Sequence, residues 1–123
     1  MSEAFPGKQI VRLVARVVIS GRHRQERVKA KVDTGADRTT VSRELARRLR
    51  LRPTGSKVTV KVSAGSKKVR RSLVSARITL AGKTFKLRVG VADRSQMRYP
   101  VIVGRDILRS GDFLIDPSRR KKK

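Results

Sequence analysis

Of the nine carboxylates in this 123-residue chain, one stands where a backbone turn could present it for chemistry. Asp33 follows the alternating run Val28-Lys29-Ala30-Lys31-Val32 and precedes Thr34-Gly35-Ala36. A strand leading into small, permissive residues makes a tight turn that can hold a carboxylate at the floor of a cleft, with Thr34 available to brace it by hydrogen bonds. Much later, the apolar triplet Val101-Ile102-Val103 ends in Gly104, a second place where backbone can approach closely. Hydrolysis of an amide by carboxylates needs two of them sharing one proton around one water. One acts as base on the water, and the other, protonated, polarises the carbonyl. Glu3, Glu26, Asp37, Glu44, Asp93, Asp106, Asp112 and Asp116 lack the Asp-Thr-Gly setting. The second carboxylate is therefore expected from a second copy of the chain across a twofold axis.

Other chemistries have little to work with. There is no cysteine, so disulfides, a thiolate nucleophile and Cys-based zinc sites are excluded. The one histidine, His23, falls in Gly21-Arg22-His23-Arg24, a turn-like run. No P-loop and no His-Glu-x-x-His pattern occurs. Neither a metal nor a cofactor is expected.

The elements that must position Asp33 read as mostly β. Lys8 to Ile19 alternates as one strand, Ser20 to Arg24 turns, and Val28 to Val32 returns. Ser42 is placed to cap a helix from Arg43 to Leu49, with Leu45 and Leu49 on one face, ended by Arg52-Pro53-Thr54-Gly55. Lys57 to Ser63 and Lys67 to Leu73 form a long basic hairpin around Ala64-Gly65. Val74 to Leu80 and Phe85 to Val91 form another around Ala81-Gly82-Lys83. Val101 to Gly104 is a buried strand, Ile107-Leu108 a helical turn, and Phe113 to Ile115 a last strand. With aromatics at 3% and no tryptophan, the core must be aliphatic.

In this order, Val32-Asp33-Thr34-Gly35-Ala36-Asp37 and Val101-Ile102-Val103-Gly104-Arg105-Asp106-Ile107-Leu108 resemble the paired signatures of the retropepsin family. The resemblance covers residues 8–117. It implies a mainly β, closed acid-protease barrel with one or two short helices, one lobe per chain, active as a homodimeric aspartic endopeptidase. Residue by residue, Asp33 matches the catalytic aspartate and Thr34 and Gly35 its supporting turn. Ala36 and Asp37 match substrate-binding positions. Arg105, with Gly104, matches the arginine that pairs with Asp37 and helps tie the dimer. Lys57 to Leu73 takes the place of the flap, carrying Lys61, Lys67, Lys68, Arg70 and Arg71 instead of a glycine-rich tip. The stretch from Asp93 to Pro100, continuing through Gly104-Arg105 to Asp116-Pro117, is similar to a prokaryotic group labelled ATP-dependent zinc proteases and associated with glutamate-ligase systems. The chain contains no ligand set for the zinc or the ATP of that label.

Charge is the remaining feature. Lysine and arginine number 33 against nine acids, a formal net charge of +24. Such a surface attracts polyanions, so acidic peptide or protein substrates and non-specific nucleic acid are the partners expected. A second reading follows from the same number: a non-catalytic module, binding nucleic acid or the ribosome, that keeps a retropepsin fold. Residues 1–7 read as a flexible lead-in, 8–117 as one peptidase domain and 118–123 as a basic tail. No signal peptide or membrane span is recognisable, and a cytoplasmic location is expected.

Overall fold

The structure, a computed structural model, describes residues 7–61, 67–93 and 97–118. Nine strands and two short helices occur among them, in the order β1 (Ile10–Arg12), β2 (Val14–Ser20), β3 (Gln25–Val32), β4 (Thr40–Ser42), α1 (Arg43–Arg48), β5 (Arg52–Lys61), β6 (Lys68–Leu80), β7 (Lys83–Ala92), β8 (Val101–Val103), α2 (Arg105–Ser110) and β9 (Leu114–Asp116). The main sheet runs β2-β3-β8-β4-β7-β6-β5, and β2 also pairs with β6. That extra pairing closes six strands into a barrel and leaves β5 outside as the seventh. β1 and β9 form a separate parallel pair. The expected mainly β barrel with two short helices and one lobe is what the chain adopts.

Period-two patterning explains the closure. On β2, Val17 and Ile19 are buried, and on β3, Ala30 and Val32. The alternate positions Arg27, Lys29 and Lys31 face solvent. The core is aliphatic, with Ile19, Leu45, Ile78, Leu80 and Ile107 its largest fully buried side chains. Ser42 caps α1 by accepting the Leu45 amide at 3.1 Å, and Leu45 and Leu49 turn inward. Arg48 grips Glu26 through two hydrogen bonds of 3.0 and 2.8 Å. Those hydrogen bonds hold the Glu26 carboxyl below its usual range. Ala81 and Gly82, both at positive φ, make the two-residue turn joining β6 to β7.

Three segments differ from the sequence expectation. The strand from Lys8 to Ile19 is two, because the chain changes sheets at Leu13, whose carbonyl accepts the Val32 amide at 2.7 Å. The runs 67–73 and 74–80 belong to one strand of 13 residues. Leu73 and Val74 are both buried, so the alternation slips by one there, imitating a break. Arg52 to Gly55 does more than end α1: it opens β5, where a register irregularity between Pro53 and Lys57 sits on the outer strand of the sheet. The flap tip at 62–66, the segment 94–96, residues 1–6 of the lead-in and 119–123 of the tail lie outside the described residues. No helix among the described residues is long and apolar enough to cross a membrane.

Candidate active site

Asp33 sits at the C-terminal end of β3, where parallel pairing with β8 brings Gly104 alongside. Its amide donates to the Val103 carbonyl at 2.9 Å, anchoring the turn to the barrel. The Gly35 amide donates to Asp33 Oδ1 at 2.9 Å, and the Ala36 amide to the Asp33 carbonyl at 3.2 Å. The carboxylate is thus aimed by its own loop. The brace expected from Thr34 comes instead from the Gly35 amide, while Thr34 gives its carbonyl to Arg105 Nη1 at 3.1 Å.

The loop is held from below by the segment after β8. The Arg105 amide donates to the Ala36 carbonyl at 2.8 Å. Arg105 also pairs with Asp37 through Nη2. Asp37 is 86% exposed and Arg105 36%, so within one chain this is a pair near the surface. Arg105 Nε, by contrast, is buried and has no hydrogen-bond partner among the described residues.

Two residues here, Asp106 and Thr39, receive no role from the sequence. Asp106 accepts the Thr39 hydroxyl at Oδ1 (2.6 Å) and the Thr39 amide at Oδ2 (2.9 Å), and its Oδ1 also takes the Ile107 amide at 2.8 Å. Thr39, at 0% exposure, receives the Gly104 amide on its hydroxyl at 3.1 Å. A buried cross-link therefore ties the two signature segments together. Its signal in the sequence was an acid directly after Gly104-Arg105 and a threonine six residues after Asp33. Arg71, one of the basic residues expected in the flap, lies on β6 over Gly90 and reaches the Thr40 hydroxyl at 3.4 Å. Burial lowers the pKa of its guanidinium from the usual arginine value. The basic strand thus turns one cation inward, toward the loop that follows Asp33.

Gly104 is required for room. Its backbone angles, φ −99° and ψ −173°, suit any residue. A Cβ there would lie 2.7 Å from the Arg38 carbonyl carbon and 2.9 Å from both the Ala36 and the Arg38 carbonyl oxygens. These are backbone atoms of the Asp33 loop and cannot swing aside. Gly104→Ala is expected to cost about 1–3 kcal/mol of stability from overpacking, read as a lowered midpoint in urea denaturation. An unchanged midpoint would show that the loop yields freely.

The model of the family described as aspartyl protease matches residues 15–107. No curated protein matches the chain. Among solved structures, Lpg0085, a protein of unknown function from Legionella pneumophila, is 20% identical, aligned over 89% of this chain and 93% of its own at a TM-score of 0.58. The EIAV protease in complex with the inhibitor HBY-793 is 25% identical over 84% of this chain and 90% of its own, at 0.62. The simian foamy virus protease is 17% identical over 78% and 91%, at 0.55. The fold of the chain is the one-lobed retropepsin-like barrel.

Proposed function

Because the chain belongs to the aspartyl protease family, we propose that it is a homodimeric aspartic endopeptidase whose two Asp33 carboxylates activate one water. The observation that carries this reading is the Asp33-Thr34-Gly35 turn, aimed by the Gly35 amide and locked onto Gly104 and Arg105. One carboxylate takes a proton from the water as its oxygen attacks the scissile carbonyl carbon. The other gives its proton to the carbonyl oxygen, forming a neutral tetrahedral diol. Collapse of the diol breaks the C–N bond, and a proton passes through the dyad to the leaving amine. Neither metal nor cofactor enters this scheme, which suits a chain with one histidine and no cysteine. The prokaryotic group resembled by the C-terminal stretch is the subgroup we assign, without its zinc and ATP.

The dimer is supported by surfaces that one copy leaves open. Arg105 and Asp37 pair near the surface of one copy, at the place where the family resemblance puts the dimer contact. Ile10 and Val14, 46% and 40% exposed, put apolar surface at β1 and the start of β2. Ala36 and Asp37 flank the dyad as substrate-binding positions. Arg71 supports acidic side chains in the substrate, since it offers a partly desolvated cation beside Thr40. A cytoplasmic location accords with this reading. The competing reading is a basic binding module without activity.

The test is cleavage of a mixed peptide library as a function of protein concentration, alongside sedimentation. Activity is expected to fall with the square of concentration below the dimer constant. Arg105→Ala is expected to weaken dimerisation about 10- to 100-fold, the worth of one hydrogen bond to a charged group. Cleavage that persists in a sedimenting monomer rules out the shared site. No cleavage at any concentration favours the binding module.

A further inference from the structure

A broad concave feature among the described residues lies away from Asp33. It is an open cleft of about 900 Å³ in which the β2–β3 turn, the end of α1, the start of β5 and the middles of β6 and β7 meet. Six cations line it: Arg22, Arg50, Arg52, Arg77, Lys86 and Arg88. No carboxylate does. The eight residues of β3 separate the turn from Asp33, about 25 Å at the usual rise per residue.

The cleft is built from the backbone up. Gly21 packs so closely that a Cβ there would lie 3.0 Å from the Leu49 carbonyl oxygen and 3.1 Å from Leu51 Cδ2. Arg24 Nη1 donates to the Arg48 carbonyl at 3.0 Å, fastening the same turn to the end of α1. Arg50 follows the C-cap Leu49 with φ of 51°, a position that usually goes to glycine or asparagine. On the wall, Arg77 and Lys86 are direct cross-strand partners. Like charges facing each other across a sheet are destabilising. No lining acid offsets this repulsion, so an anion bound in the cleft would relieve it.

We infer that this cleft binds the phosphate backbone of single-stranded nucleic acid, without regard to sequence, at a site separate from the Asp33 turn. Five of its six cations are arginines, whose planar fork fits phosphate oxygens. No Phe, Tyr or Trp lines the cleft and His23 is its one ring, so bases have at most one small platform and the backbone is what is chiefly read. An acidic peptide fits less well. β6 is already paired with β5, β7 and β2, and β7 with β6 and β4, so these two walls have no free edge to which a peptide could add as a strand, and only the start of β5 presents one. Nucleic acid needs only the side-chain cations.

The experiment measures fluorescence anisotropy of a labelled 20-nucleotide polyuridylate against the full chain, from low to moderate KCl. Two variants of equal net charge are compared. One replaces Arg50, Arg52, Arg77 and Arg88 by Gln. The other replaces Arg16, Arg27, Lys29 and Lys31, none of which lines the cleft. Losing four phosphate contacts should flatten the slope of log K against log salt by about 3 and weaken binding about 100-fold or more at 0.1 M KCl. The control variant should change affinity less than about fivefold. Equal losses in both variants would mean that binding is spread over the whole surface, and the cleft assignment fails. A 20-residue polyglutamate that binds the cleft as tightly as the oligonucleotide, and displaces it, would make the occupant an acidic protein and overturn the assignment. Should the cleft variant not fold, ultraviolet crosslinking of polyuridylate to the wild-type chain decides. Crosslinks are expected in residues 20–24, 50–52, 75–77 and 86–88, and crosslinks confined to other segments refute the site. Neither readout depends on peptide cleavage.

Discussion

Asp33→Asn is expected to abolish peptide cleavage while leaving the barrel folded. The substitution keeps the side-chain shape, and an asparagine Oδ1 can still accept the Gly35 amide that now bonds to Asp33 Oδ1 at 2.9 Å. The backbone anchor, from the Asp33 amide to the Val103 carbonyl, is untouched. What disappears is the base. Removing a positioned proton acceptor costs about 10²–10⁴ in rate, and here one codon change removes it from both halves of the proposed dimer. The loss should therefore reach the upper end of that range or exceed it. Circular dichroism and the urea midpoint should match the wild type.

A mixing experiment sharpens this prediction. If each site needs one Asp33 from each copy, excess Asp33→Asn chain should poison the wild type by forming mixed dimers with a single carboxylate. Activity should fall toward zero as the variant is titrated in, faster than simple dilution predicts. Activity that follows the wild-type fraction linearly would mean that each chain works alone. An Asp33→Asn protein that still cleaves would falsify the carboxylate mechanism outright.

The parts of this molecule most legible in the sequence are those where backbone demands and side-chain patterning coincide. Val28 to Val32 alternates because one face of β3 is core, and Asp33-Thr34-Gly35 follows because a strand leading to that turn needs small residues. Ser42 announces α1 by the same local logic, its hydroxyl capping Leu45 as the spacing suggests. Long-range pairings were less legible. The slip at Leu73-Val74 looked like a boundary because period two fails there, although the strand continues with new partners. The break at Leu13 was hidden for the opposite reason: alternation survives while the chain passes from β9 to β3 as its neighbour. The Thr39–Asp106 cross-link joins residues 67 apart, each visible only as a polar residue close to its own signature segment. The cleft depends on four segments converging, which the even spread of basic residues along the chain conceals.

That cross-link is where the largest loss of stability is expected. Asp106→Ala removes the acceptor for two donors of Thr39, its hydroxyl at 2.6 Å and its amide at 2.9 Å, in a residue with no solvent exposure. Leaving a buried donor unsatisfied costs about 1–3 kcal/mol each. The Ile107 amide in the first turn of α2 loses its acceptor as well. The two Thr39 donors alone amount to about 2–6 kcal/mol, against a total of about 5–15 kcal/mol for an ordinary domain. For a chain of this size the melting temperature should drop by about 10–20 °C. Asp106→Asn should fall between, since its single carbonyl oxygen can serve one Thr39 donor while its amide faces the other. Thr39→Val supplies the independent check. It removes the hydroxyl, strands the Gly104 amide now bonded to it at 3.1 Å, and keeps the volume. In a double-mutant cycle, Thr39→Val and Asp106→Ala should be coupled by more than about 1 kcal/mol, because they break the same link. Additive effects would mean that Asp106 acts through α2 alone. Because the link fixes Gly104 against the Asp33 loop, the melting curves of these variants should track their peptide cleavage, and a variant that loses stability while retaining full cleavage at low temperature would show that the turn keeps its aim without it.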